Sequence, residues 1–173
     1  NNYQSETPIE ATLTYDGEVI GQVGVRFRGN TSYHMIYNSQ KKSFKVEMDF
    51  IDEDLEVEGY KNLKFNNAHQ DASFMREVLY GQMAARHTAI AKANYMHLFI
   101  NGESWGVYPN IQAIDKTFLE EWFLSNDGAL FRATTEGGGP GGGGPGGGGP
   151  GWGDGTAGLN YLDSDTSSYQ EYY

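Results

Sequence analysis

Polar and apolar residues alternate along the first part of the chain. Residues 8–15, PIEATLTY, have a strand-like pattern, and Asp16-Gly17 follows. Asp-Gly between two such runs is a strong hairpin signal. The return strand is EVIGQVGVRFRG, 18–29. Strand alternation puts Val19, Gly21, Val23, Val25 and Phe27 on one face and Ile20, Gln22, Gly24, Arg26 and Arg28 on the other. Residues 30–40 form a polar, aromatic-rich loop. KKSFKVEMDF, 41–50, alternates again, with Phe44, Val46 and Met48 facing inward and Ser43, Lys45 and Glu47 outward. Residues 51–59 hold five acids and read as an exposed turn, and NLKFNN, 62–67, as a short fourth strand.

The period then changes. Asp71 is placed to cap a helix, and Phe74, Val78, Leu79 and Met83 recur at helical spacing, which predicts a helix over 72–88. NYMHLFIN, 94–101, and ESWGVYPNIQ, 103–112, are strands joined by the turn pair Asn101-Gly102. IDKTFLEEWFLS, 114–125, predicts a second helix, and ALFRAT, 129–134, a last strand. The order β-β-β-β-α-β-β-α-β, dominated by hairpins, predicts an α+β fold with a mainly antiparallel sheet and packed helices.

Composition changes this picture in one place. The chain has 173 residues and 24 glycines, and residues 137–155 hold fourteen of those glycines. An ordinary globular sequence therefore carries one low-complexity Gly/Pro-rich insert. The expected organisation is a folded region over 1–134, a Gly/Pro-rich loop over 135–158 and the start of a following region over 159–173. The chain begins without Met and stops inside SSYQEYY, and is expected to be a piece of a longer protein. A formal charge of −11 argues against a general nucleic-acid partner. No apolar run is long enough to span a membrane. With no cysteine there is no disulfide framework, thiolate zinc site or cysteine nucleophile.

Candidate chemistry is sparse. His34, His69, His87 and His97 share no metal-ligand spacing, and the acidic run 52–58 lacks the glycine and final glutamate of a calcium loop. The usual serine-hydrolase, zincin and P-loop motifs do not occur. The few basic residues are more informative. Arg26, Arg28, Lys41, Lys42 and Lys45 lie on two consecutive strands, and Arg76 follows on the next helix. Such clustering in an acidic chain suits an anion such as a phosphate; surface charges balancing acidic neighbours would look the same. Lys42 shares the phase of Phe44, so it is placed to reach under the sheet towards the helix and pair with Glu77. This layout resembles a protein-kinase N-lobe, where a lysine on the third strand pairs with a glutamate on the following helix.

Several segments carry a more specific resemblance. VRFRGNTSY, KKSFKVEMD, LKFNN, DASFMREVL and LFINGESWGVYPNIQAIDKTFL, in this order, are similar to the CotH family of spore-coat-type atypical protein kinases. The resemblance implies transfer of the ATP γ-phosphate to serine or threonine of secreted or coat proteins, with a divalent metal, Mg or Mn. It also implies an extracellular, cell-surface or spore-coat location. Carried over, Arg28 of the RG turn, Lys42 of the KKS strand and Arg76 of the helix start become nucleotide-phosphate candidates, with Glu77 beside them. Residues 110–115 would form the hinge. Gln112 stands where relatives often have Glu, which puts an adenine contact there in doubt. The resemblance places the catalytic and metal-binding aspartates in a second lobe, downstream of this chain. Asp154, Asp163 and Asp165 are expected to be loop residues, so the chain by itself is expected to be inactive. Two rivals stand beside this. One is a non-catalytic cell-surface or spore-coat binding module. The other is a carbohydrate-associated domain using Trp105, Trp122 or Trp152, of which the first two fit apolar patterns and suit a core.

Overall fold

The computed structural model describes residues 7–29, 31–36 and 39–127. The predicted strand at 129–134, the glycine-rich insert and the three aspartates beyond it lie outside the described residues. So do the boundaries expected at 134 and 158.

The described residues up to Asn126 form one compact unit. Its strands are β1 (Ile9–Tyr15), β2 (Glu18–Arg28), β3 (Ser43–Glu47), β4 (Asn62–Phe65), β5 (Ala93–Ile100) and β6 (Glu103–Ile111). They form one sheet in the order β1-β2-β3-β4-β6-β5, antiparallel at every pairing. Three helical segments accompany it: α1 (Thr31–His34), α2 (Arg76–Ala84) and α3 (Lys116–Phe123). The mainly antiparallel α+β class predicted from the sequence is the class observed.

Both hairpin signals act as the chemistry demands. Asp16 and Gly17 have φ of 50° and 86°, and Asn101 and Gly102 have 52° and 81°. Positive φ at both central positions is what a two-residue turn matching the strand twist requires.

The core is built in rows across the sheet. Phe27 pairs Phe44, which pairs Phe65; Val25 pairs Val46, which pairs Leu63. These side chains pack with Val23, Met48, Val57 and Tyr108, and Trp105 packs against them. The Phe44 ring lies 5.3 Å from Phe27 and 6.0 Å edge-on to Trp105, favourable aromatic geometries. α2 lies against β5 on the other face of the sheet. Gly81 faces this contact: a Cβ there would stand 3.5 Å from the Ala91 carbonyl oxygen and 3.7 Å from the Ala93 Cβ, ordinary packing distances.

The structure departs from the pattern in three places. A register shift between Leu13 and Thr14 interrupts the β1–β2 ladder. Past it the phase inverts, so Val19 is exposed and Ile20 packs on the core. The 30–40 loop contains the single turn α1, and β3 gives way at Met48 to a 3₁₀ turn. α2 starts at Arg76, four residues later than predicted. Asp71 does cap it, accepting 2.9 Å from the Arg76 amide, but it also binds the Ser73 amide and hydroxyl. Those bonds hold 72–75 in a turn, with Phe74 at a φ of 60°. α3 follows the simpler rule, with Asp115 capping the Phe118 amide at 3.3 Å and Leu124 ending it in the left-handed region.

Glu47 organises charge on the outer face of β3. Its carboxylate accepts from Lys45 at 2.7 Å and from Arg26 at 3.2 Å. Burial works against the charge, but the bonds from Lys45 and Arg26 outweigh it and hold the carboxyl below its ordinary range. A depressed carboxyl adds stability that is present above the unfolded value of about 4.3 and lost as pH falls through the lower folded value. Glu47→Gln is therefore expected to cost ~1 kcal/mol at neutral pH and close to nothing once the native carboxyl is protonated. Urea unfolding of both proteins at pH 7 and at about pH 2 checks this, and curves equally far apart at both would contradict it.

Candidate functional site

The basic residues separate by strand phase. Arg26 and Lys45 share Glu47, whose single carboxylate compensates the pair in part. Arg28, the last residue of β2, pairs Ser43 in the ladder and so shares that outer face. Lys42 turns the other way. It is 3 % exposed, donates 3.0 Å to the Tyr33 carbonyl oxygen and sits 4.7 Å over the Tyr33 ring, which in turn stacks near Phe27 of the core.

Lys42 does not meet Glu77. The side chain lies on the core face, as its phase predicts, but α2 lies on the opposite face. The Glu77 carboxylate instead receives the Asn66 amide at 2.7 and 2.9 Å, through both oxygens. The Asn66 carbonyl accepts from Arg28 Nη1. Arg28, Asn66 and Glu77 thus form one chain of hydrogen bonds from the end of β2 to the first turn of α2.

Arg28 is partly buried. Desolvation lowers its affinity for a proton, the Glu77 charge raises it, and Arg26 lowers it again. Arginine nevertheless stays charged in proteins. Among the described residues no carboxylate lies within ion-pair distance of Arg28. A desolvated cation whose direct side-chain partner, among the described residues, is an amide oxygen is poised for an anion.

Lys41 is the lysine that faces α2. It donates 2.8 Å to the Val107 carbonyl oxygen and lies about 4.5 Å from the rings of Phe74 and Tyr108. Burial pushes its ammonium pKa down. With Ser73, Phe74, Met75, Tyr95 and Val107 it lines a shallow, mostly apolar cleft of about 530 Å³. Beneath it the Tyr108 hydroxyl is buried, and its pKa is pushed up to about 12.

Arg76 stands apart from this chain. Its side chain is 75 % exposed, bonds the Gln70 carbonyl oxygen at 3.0 Å and approaches Asp71 at 3.7 Å. Gln112 is also elsewhere. Asn66 donates its backbone N–H to the Pro109 carbonyl oxygen, so Gln112, just past the end of β6, lies three residues farther along the chain, roughly 10 Å at strand rise. It is buried with both ends of its amide engaged: the oxygen accepts from the Lys92 amide at 3.0 Å and the nitrogen donates to Glu121 at 2.7 Å. Glu121 also takes bonds from Lys92 and Tyr60. Gln112, Tyr60, Asn62, Lys92, Asn94 and Asn110 line a second cleft of about 320 Å³.

Pattern reasoning passed over Asn66 and Asn67. Their signal was there: two amides in a row at the end of a strand, followed by residues in the left-handed region, Ala68 and Gln70. Asn67 is buried. Its amide donates 3.1 Å to both the Ser32 and Lys41 carbonyls, its oxygen accepts from the His69 amide, and its backbone N–H meets Ser43 Oγ at 2.9 Å. No group of three acidic or histidine side chains that could hold a metal occurs among the described residues. None of their helices is long and apolar enough to cross a membrane.

The segments that build this site are those a family model recognises, as it matches residues 25–171 under the description CotH kinase protein. The chain belongs to the CotH kinase family. The match runs from β2 through α3 and beyond the described residues. Comparison with curated proteins finds no match. The family is kinase-like.

Two outcomes test the site's construction. Asn67→Ala strands three backbone groups and is expected to cost about 2–4 kcal/mol in chemical denaturation; a loss under about 1 kcal/mol would count against it. Gln112→Glu places a carboxyl against Glu121. It is expected to destabilise by about 1–3 kcal/mol at pH 7, with a melting temperature recovered by adding Glu121→Gln. The new carboxyl's folded pKa would be raised, so its cost is present above that value and relieved as pH falls through it.

Proposed function

We propose that this chain is the phosphate-holding lobe of a CotH-type protein kinase that transfers the γ-phosphate of ATP to serine or threonine of a secreted or coat protein. The observation that carries the proposal is Arg28, a partly buried cation with no carboxylate in contact, in a chain belonging to a kinase-like family. Phosphate oxygens suit a guanidinium in such a setting.

The layout supports a kinase N-lobe reading. A hairpin leads to a third strand with lysines at its start, a helix brings a glutamate to the sheet, and a last strand runs into the 110–115 segment. The departure is that the helix glutamate answers an arginine through an amide, where kinases pair it with the third-strand lysine. Arg28 ends β2 and Lys42 immediately precedes β3, so a ligand lying across the strand ends would have both cations in reach. Lys42 would first have to leave Tyr33. Arg76 would swing in from the rim. An adenine contact by Gln112 would require its amide to leave Glu121 or Lys92, which makes it the weakest of the five assignments.

ATP would supply the phosphoryl group, and Mg or Mn would neutralise the developing charge. The contribution of the residues described is to orient phosphates and stabilise their charge. The ligands for the metal and the catalytic aspartate belong, in this proposal, to a second lobe downstream, and the site of action is outside the cell or on the spore coat.

The test is phosphotransfer from γ-labelled ATP to a generic protein acceptor. The 173-residue chain should give none, and the same chain extended through the downstream lobe should give label on serine or threonine. Arg28→Gln in the extended protein should lower kcat/KM by about 100-fold, on the order of 3 kcal/mol. Activity in the 173-residue chain, or an unaffected variant, would overturn the proposal. An extended protein that folds and never transfers phosphate would favour a non-catalytic binding module.

A further inference from the structure

The Arg28–Asn66–Glu77 chain has a chemical asymmetry that assigns a role to its middle member. Asn66 must accept on one side, from a guanidinium that can only donate, and donate on the other, to a carboxylate that can only accept. A side-chain amide offers both at once from a short stem, with donor and acceptor on separate atoms. Its orientation is therefore set by the two charges beside it. Its backbone is fixed as well, because its N–H bonds the Pro109 carbonyl oxygen at 2.8 Å and the next residue is the buried Asn67.

We propose that Asn66 is a positioning residue for nucleotide phosphate: it couples α2 to Arg28 and aims the guanidinium while leaving its charge uncancelled. A direct Arg28–Glu77 ion pair would neutralise the cation and occupy its donor face. An amide between them holds one guanidinium nitrogen and leaves the remaining N–H groups for an incoming anion. Glu77, in the first turn of α2, then reports the helix position to the arginine. The inference rests on the kinase reading above.

The chain can be inverted without changing its shape. Asn66→Asp keeps the acceptor for Arg28 but sets a second carboxylate against Glu77. Adding Glu77→Gln restores a donor to face it, so the hydrogen-bond pattern is complete again with the charge moved by one residue. In the extended, phosphotransfer-competent protein, Asn66→Asp should raise KM for ATP about tenfold with a smaller change in kcat. The pair Asn66→Asp with Glu77→Gln relieves the repulsion but keeps a carboxylate directly on Arg28, so KM should stay about tenfold above the parent. A residue that mattered only for folding would lower the active fraction, and hence kcat, at unchanged KM. Thermal melts of each variant separate that case. An Asn66→Asp enzyme with unchanged KM, or a double variant with KM back near the parent's, would sink the proposal.

A second measurement does not need catalysis. In the 173-residue chain, the guanidinium N–H resonances of Arg28 should be resolved and slowed in rotation in the parent, and averaged in Asn66→Ala. Ordered Arg28 signals in a protein that never transfers phosphate would defeat the kinase reading and leave the coupling standing. Averaged signals in the parent would defeat the coupling itself.

Discussion

The architecture around the site depends on one buried side chain. Asn67 fastens three pieces of chain that have no ladder between them: α1 through the Ser32 carbonyl, the approach to β3 through the Lys41 carbonyl, and the turn after β4 through the His69 amide. Loops usually run over the surface because buried backbone groups must find partners. Here two loops pass below the end of a sheet, and one amide satisfies both. Its own backbone N–H then locks to Ser43 Oγ, which fixes the row containing Arg28. Once that row is fixed, Lys41 and Lys42 must leave the chain on opposite faces, because successive side chains alternate. The direction of every cation near the site follows from this anchorage.

Alternation then sorts the positive charges into distinct electrostatic situations. On the outer face Arg26 and Lys45 converge on Glu47, so each has a carboxylate in direct contact. Lys42 is capped by a carbonyl oxygen and a ring face on the inner side. Lys41 lies between two rings and a carbonyl, in surroundings that disfavour its charge. Arg28 differs from all of these, because its direct side-chain neighbour is a neutral amide and the nearest compensating carboxylate is one residue removed. Desolvated arginine keeps its proton where lysine would surrender it. Only guanidinium suits a place that must stay cationic before its counter-ion arrives.

Much of the fold was legible because it is local. Asp-Gly and Asn-Gly fix their turns by φ alone, and the period-two runs in β2 and β3 reflect a sheet with its core on one side. The family segments were legible as an ordered series, and the family match covers them. What escaped depends on contacts between distant segments. Phase showed that Lys42 points inward, but not that α2 would pack on the other face, so the pairing with Glu77 was misassigned. Periodicity could place Phe74 on a helix, but the Asp71 carboxylate holds 72–75 in a turn before helical hydrogen bonds can begin. The roles of Asn66 and Asn67 are invisible to hydropathy, because a polar residue at a strand end looks like any turn. The constraint on Gln112 comes from Glu121, a residue on a different element.

α2 shows why polar links matter more here than packing. Of its nine residues only Val78 and Gly81 are buried. Leu79 is 44 % exposed and Met83 70 %, and neighbouring Met75 is also exposed. An amphipathic helix ordinarily derives its place from an apolar stripe pressed on the core. This one presses little more than a valine and the bare backbone of a glycine on β5. Its N-terminal end is held instead by the Asp71 cap and by Glu77 on Asn66, bonds whose strength depends on geometry and which can be exchanged for others at modest cost. A helix seated this way can shift along the sheet without opening the hydrophobic core. Because the bond that seats it is also the bond that aims Arg28, any such shift changes the environment of a desolvated arginine that, among the described residues, lacks a carboxylate in contact. The weak packing of α2 and the incomplete compensation of Arg28 are therefore two aspects of one arrangement.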